Sequence, residues 1–215
     1  MPLNVIYEKD NCIVINKPAG LPTQTARPGQ RDVISEVCNY LSLKGIHSPE
    51  VHVINRLDQP VEGLVLLAYD KVSAANLSKQ LIDNKIQKYY EARVFGHLPN
   101  KSGRLEDMLI KDNKTNMSKV ALSSDKQAKK AILEYEVVDS DEDTDTIRIH
   151  LITGRHHQIR VQFSHAGCPL LGDSKYGNAE SMAYAREHDV RNVALKAYSM
   201  SFVNPTTGEK TVVTV

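Results

Sequence analysis

The chain is 215 residues long, enough for one sizeable domain with a substantial core. Its hydrophobic share of 41% and charged share of 25% are those of an ordinary globular protein, which excludes the disordered and fibrous classes. Lys and Arg number 27 against 26 Asp and Glu, so no molecule-wide basic field marks a general polyanion binder.

Residues 1–10 carry no apolar signal core and no later stretch is long enough to cross a bilayer, so a cytoplasmic protein without membrane contact is expected. Short apolar stretches at 5–7 and 13–16 have strand length. A helix is predicted within 31–44, stopped by Gly45. The strand at 64–69 is continuously apolar over Leu64-Val65-Leu66-Leu67-Ala68, as a sheet interior requires. A second helix is predicted over 71–82, with Asp70 placed to cap its first amides. A strand follows at 89–95. Positive charge then gathers at Lys101, Arg104, Lys111, Lys114, Lys119, Lys126, Lys129 and Lys130, against Glu106, Asp107, Asp112 and Asp125. That run reads first as solvated surface and second as a face a nucleic acid could use. Strands at 132–138 and 146–152 flank an acidic run at 139–145, read as a loop; Thr146-Ile147-Arg148-Ile149-His150-Leu151 alternates as a half-buried strand does. A third helix is predicted from just after Thr153 to about Gly167, with Ile159, Phe163 and Ala166 on one face and Gly167 and Pro169 as its stop. Strands at 194–203 and 211–215 complete the chain. No regular β-α-β alternation appears, so the expected class is α+β: a mixed, largely antiparallel central sheet with flanking helices, in a single catalytic domain over 1–215.

Cys12, Cys38 and Cys168 are odd in number and widely spaced, which points to a reducing compartment and away from a disulfide framework or a thiolate zinc site. His156-His157 invites a metal reading. Adjacent helix positions point about 100° apart, however, and the HExxH spacing is absent, so no metal is expected.

Three segments carry chemistry. In Asn55-Arg56-Leu57-Asp58-Gln59-Pro60-Val61-Glu62-Gly63, Pro60 forbids a regular helix and Gly63 permits tight entry into the next strand. Asp58 is thereby held on a loop at a strand edge, where it is either a turn-capping carboxylate or a functional one. In Thr153-Gly154-Arg155-His156-His157-Gln158-Ile159-Arg160, a strand ends and two arginines fall on the first turns of a helix. Such a corner suits a phosphate or a carboxylate such as Asp58, or is simply a solvated helix start. In Lys88-Tyr89-Tyr90-Glu91-Ala92-Arg93-Val94, alternation puts Lys88, Tyr90, Ala92 and Val94 on one face. An inward tyrosine can stack on a base, or can equally belong to the core.

Taken together, these segments resemble the RluA-like family of RNA pseudouridine synthases. Ile13-Val14-Ile15-Asn16-Lys17-Pro18-Ala19-Gly20-Leu21-Pro22 looks like its N-terminal strand and turn, and Arg56-Leu57-Asp58 with Gly63-Leu64 like its catalytic loop. Lys88, Tyr90, Ala92, Val94 and Gly96 match its tyrosine strand. Thr153-Gly154-Arg155, His157-Gln158-Ile159-Arg160, Gly172-Asp173 and Tyr176-Gly177 match its third motif, and Ala197, Phe202, Pro205 and Gly208-Glu209 its tail. The resemblance implies the pseudouridine synthase fold with a central catalytic cleft, and isomerisation of a uridine in structured RNA without a cofactor. It implies Asp58 as catalytic carboxylate, Tyr90 against the target base, Arg160 as partner of Asp58, and Arg56 as an aid to displacing the nucleotide. Arg155, His157 and Gln158 are expected to bind substrate. The expected partner is RNA, ribosomal or transfer, at a uridine in a loop or stem-loop, with no DNA, and the expected state is a monomer. Two positions depart from the family pattern: Asn55 stands where it usually has His, and Val61-Glu62 where it commonly has Thr-Ser. Two other readings compete. One is an Asp-dependent nucleoside or glycoside hydrolase, for which Glu62 is the only second carboxylate in the same loop. The other is a non-catalytic RNA-binding protein of the same fold.

Overall fold

The structure, a computed structural model, describes residues 3–25, 27, 29–122 and 124–215; Met1 and Pro2, the first residues read for a signal segment, lie outside the described residues. In chain order the elements are β1 (Val5–Lys9), β2 (Cys12–Lys17), α1 (Val33–Leu43), β3 (His52–Val53), β4 (Glu62–Ala68), α2 (Lys71–Ile82), β5 (Gln87–Phe95), β6 (Ser102–Asp112), β7 (Met117–Val120), β8 (Lys129–Ser140), β9 (Thr144–Leu151), α3 (Gln158–His165), α4 (Ala179–Glu187), β10 (Leu195–Val203) and β11 (Lys210–Thr214). They fall into two compact units, Met1–Gln87 with Ala197–Val215, and Lys88–Lys196.

In the first unit, β1 and β2 form a hairpin whose turn residues Asp10 and Asn11 both take positive φ (50° and 60°), the geometry of a tight twisted turn. β4 pairs antiparallel with β2, Ile15 opposite Val65 and Ile13 opposite Leu67, and with the short β3. Its apolar run is fully buried, and Leu64, Leu66 and Ala68 on one face pack with Cys12, Val14, Leu77 and Phe202 into a core cluster of the unit. Burying each such Leu or Val contributes about 1.5–3 kcal/mol. Gly63 (φ +118°) passes so close to β10 that any Cβ would collide with the Ala197 backbone, so the loop can enter β4 here only as glycine. α2 has the expected bounds, and Asp70 accepts from Val72 N–H and Ser73 N–H at its start. α1 begins with an Asp32–Ser35 capping box inside the predicted window.

In the second unit, β5 pairs with β9, β9 with β8, β8 with β6 and β6 with β7, all antiparallel. One row runs Tyr90, Ile149, Tyr135, Gly103 across four strands, its first three residues buried, with Phe163 of α3 edge-on to Tyr135 at 5.8 Å between centroids. Antiparallel pairing in both units and the helices beside them agree with the expected mixed class.

Several expectations need correction. The basic run is solvated as read, all eight of its Lys and Arg being exposed, but it is carried largely on β6, β7 and the start of β8, which the sequence did not show. α3 starts at Gln158, not just after Thr153, so Arg155 precedes the helix. Ala166 is exposed beyond the end of α3, leaving Ile159 and Phe163 as the inward pair. The histidine pair also sits before the helix. His157 adopts a left-handed conformation (φ 54°), which brings its ring into a stack with His156 at 3.7 Å rather than 100° away.

Candidate active site

The Asp58 loop is pinned on both sides of its carboxylate. The Thr23 hydroxyl accepts from Leu57 N–H (3.2 Å) and donates to Leu57 C=O (2.9 Å), so both backbone groups of the preceding residue are fixed by one side chain. The following residue, Gln59, has its carbonyl held by Gly20 N–H (2.8 Å) and by Lys17 Nζ (3.2 Å). Asp58 C=O itself accepts from Val61 N–H, closing the turn that Pro60 shapes. Asn55 anchors the loop to the neighbouring strand: its side-chain oxygen accepts from Leu66 N–H (2.7 Å) and its amide donates to Leu64 C=O (3.3 Å). Its amide thus imitates a strand partner, and the departure from the family's histidine has a clear structural use. Asp58 is half-buried and Arg56 exposed, while Leu57 between them is buried.

Lys17 was not singled out from sequence, and the structure makes it a keystone of this loop. Its ammonium donates to the carbonyls of Pro18 (3.0 Å), Leu21 (2.8 Å) and Gln59 (3.2 Å). Burial pushes its pKa down to about 8, against the opposing pull of the Asp58 and Glu62 carboxylates. Thr23 was missed for the same reason: a surface-type residue in a turn gives no sign of its tertiary partner.

In the second unit, β5 alternates as expected, with Lys88, Tyr90, Ala92 and Val94 all buried on one face. The corner at 153–160 is organised by Gln158. Its side-chain oxygen accepts from the Thr153 hydroxyl (2.8 Å) and Arg155 N–H (3.0 Å), and its amide donates to Ile132 C=O (3.0 Å) and Gln162 (2.9 Å). All four hydrogen-bonding positions of that amide are occupied within the protein. His157 is buried and its Nδ1 lies 2.7 Å from the Tyr176 hydroxyl. That hydroxyl also accepts from Ser118 N–H (2.8 Å), which ties the histidine corner to β7. Arg155 is exposed and its Nε donates to Lys130 C=O (2.9 Å).

Arg160 is buried and forks onto Asp173, Nε to one carboxylate oxygen and Nη2 to the other, both at 2.7 Å. Asp173 is fully buried and also accepts from Lys175 N–H and Tyr176 N–H, while the guanidinium lies 5.2 Å from the centre of the Tyr176 ring. The fork takes two of the five donors of the guanidinium. Asp173 appears in the sequence motif but nothing in its spacing assigns it this partner. On the outer surface, Arg104 and Lys130 are paired with Glu106, and Arg104 also with Glu134, so part of the basic run is neutralised locally. Among the described residues no group of three or more His, Cys, Asp or Glu is placed to hold a metal ion, and no helix is long and apolar enough to cross a membrane.

Residues 11–165 match the family described as RNA pseudouridylate synthase. Ribosomal large subunit pseudouridine synthase D of Zymomonas mobilis is 29% identical over 218 residues, covering 98% of this chain and 68% of that protein. Ribosomal large subunit pseudouridine synthase C of Rickettsia conorii is 36% identical over 183 residues, covering 85% of this chain and 59% of that one. The chain spans between 58% and 68% of the length of such curated relatives. Among solved structures, Human RNA Pseudouridylate Synthase Domain Containing 4 superposes with a TM-score of 0.81 at 23% identity, covering 99% of this chain and 87% of that one, a likeness of fold.

Proposed function

Because the chain belongs to the RNA pseudouridylate synthase family, whose members isomerise uridine in RNA, we propose that it does so with Asp58 as the essential carboxylate and without a metal or organic cofactor. The observation that carries this reading is the pinning of Leu57 and Gln59 on either side of Asp58, which fixes the backbone that carries the carboxylate. The names of its relatives favour a uridine of large-subunit ribosomal RNA over transfer RNA as the target. The residues 1–215 act as a single catalytic domain, in the cytoplasm and as a monomer.

The reaction breaks N1–C1′, turns the base and joins C5 to C1′. The nucleotide must first leave its stack, at a cost of roughly a few kcal/mol. Arg56, exposed beside Asp58, assists that displacement. Asp58 then works as an anion, attacking C1′ or removing a 2′ proton. Arg160, forked onto Asp173, is the third catalytic residue of this reading. Tyr90 supports the rotated base and helps to remove the C5 proton. Arg155 contacts the RNA backbone from its exposed position, whereas His157 and Gln158 serve binding indirectly, by shaping the corner that presents Arg155 and Arg160.

Asp58→Asn should abolish pseudouridine formation on a large-subunit ribosomal RNA transcript while RNA affinity stays within about twofold, since one carboxylate carries the covalent step. Near-normal turnover by that variant refutes the assignment, and release of free uracil by the wild type points to the hydrolase instead. Deleting the gene and mapping pseudouridines across cellular RNA identifies the target by the site that disappears.

A further inference from the structure

Lys88 lies two residues before Tyr90 on the buried face of β5, so their side chains are next neighbours, roughly 7 Å apart along the strand. It is 9% exposed, and burial pushes its pKa below the ordinary lysine value. No carboxylate, carbonyl or hydroxyl of the described residues takes a hydrogen bond from its Nζ. Its stem is buried, but among the described residues the Nζ is not one of the buried polar atoms left without a partner, so the ammonium keeps an open side toward solvent rather than a protein acceptor. Its end reaches the turn before α3, where a Cβ on Gly154 would sit 3.6 Å from Nζ. Gly154 is exposed, so the ammonium faces a position that is open to solvent and free of side chain.

We propose that Lys88 is a further catalytic residue, donating a hydrogen bond to a carbonyl oxygen of the uracil as it detaches from the sugar. This rests on the uridine-isomerase reading. When N1–C1′ breaks, its electron pair goes to the base, and the resulting uracil anion spreads its charge over N1, O2 and O4. Attack by Asp58 at C1′ and removal of the 2′ proton both release this same anion, so the need for a cation beside the base does not depend on the route. Lys88 keeps its proton throughout. The anion rejoins C1′ through C5, and the C5 proton then leaves. A preoriented ammonium is suited to charge that develops only in the transition state, once the seated base has displaced water from beside it. Gly154 matters to this role because a larger side chain would fill the space beside Nζ that the carbonyl oxygen must enter.

The test is single-turnover kinetics on two transcripts of large-subunit ribosomal RNA, one made with uridine and one with 5-fluorouridine, following loss of the target nucleoside by digestion and mass spectrometry. On uridine RNA, Lys88→Met should slow the reaction about 10²- to 10³-fold, the usual effect of removing one such donor, with RNA affinity within twofold. Lys88→Arg should recover most of that loss. 5-Fluorouracil is the more acidic base and needs less help to leave, so the Lys88→Met defect should shrink at least several-fold on the fluorinated RNA. Equal defects on both transcripts mark a structural role and overturn the proposal. A defect confined to RNA affinity marks a phosphate contact and also overturns it. If Asp58→Asn turns over normally, the isomerase reading fails and Lys88 with it; if Asp58→Asn is dead and Lys88→Met normal, only the proposal fails.

Discussion

Lys17 in the first unit and Lys88 in the second are both lysines buried in strands, and both have their pKa lowered chiefly by burial. The difference lies in what surrounds the nitrogen. Lys17 is caged by three carbonyl oxygens and knits the turn after β2 to the Asp58 loop. Lys88 has no such cage. A buried charge whose donors are spent on backbone is part of the scaffold, whereas one left unspent stands ready for an acceptor that arrives from outside. The Gln158 amide, with all four positions occupied, belongs with Lys17. The contrast therefore sorts polar groups of this protein by role more sharply than burial does.

The largest effect expected from this contrast is on folding. Lys17→Met leaves the carbonyls of Pro18 and Leu21 without their charged donor, while Gln59 C=O keeps Gly20 N–H. Unsatisfied acceptors of this kind cost about 1–3 kcal/mol each when buried, and these are only partly so, which puts the loss near 2 kcal/mol overall. Urea denaturation should show a lower midpoint at unchanged slope. An unshifted midpoint would mean that the cage contributes nothing, and the contrast with Lys88 would lose its meaning.

Neither lysine could have been recognised from sequence. Alternation placed Lys88 on the inward face with Tyr90, but alternation reports a face, not the partners waiting there. Where local pattern and tertiary pairing agree, the reading was accurate: the fully apolar core of β4, the alternating β5 and β9, and α2 with its Asp70 cap are all found. Where pairing overrides pattern it was not. β6 carries Arg104, Glu106, Asp107 and Lys111 with little apolar alternation, and is a strand because β8 hydrogen-bonds along it from Ser102 to Leu109. α4 had a usable signal in Asn178 followed three residues on by Ser181, but its sparse apolar content hid it. The Asp58 loop was legible as a loop from Pro60 and Gly63. Its clamps at Lys17 and Thr23 were not, because they lie 42 and 34 residues away from the groups they hold.

A smaller effect separates the lysines by pH. Folded Lys17 has a pKa of about 8 against an ordinary value of 10.5, so between those limits the unfolded chain binds more protons than the folded one. Stability attributable to this group therefore rises with pH across that window, by at most about 1.4 kcal/mol per unit. Below pH 8 the full cost of burying the charge is present; above 10.5 it is gone. Denaturation series from pH 7 to 10 on the wild type and Lys17→Met should diverge through this range, the wild type recovering part of its burial cost while the variant shows no such rise. Parallel curves would mean that the carbonyl cage holds the proton as firmly as water does.

The smallest effect is the one that most nearly isolates Lys88. Replacing it with methionine keeps the length of the side chain, removes an ammonium that lacks an acceptor, and strands no partner. Apolar replacement of a buried charge is often neutral or stabilising when nothing is left unpaired. Lys88→Met should thus unfold at the wild-type urea midpoint or slightly above it, by up to about 1 kcal/mol, even as it loses the fast cleavage step. Stability and activity would then move apart at Lys88, which is the behaviour of a residue kept for chemistry at some cost to folding. A loss near that of Lys17→Met would instead show that Lys88 supports the strand it sits on, and the two lysines would belong to one class.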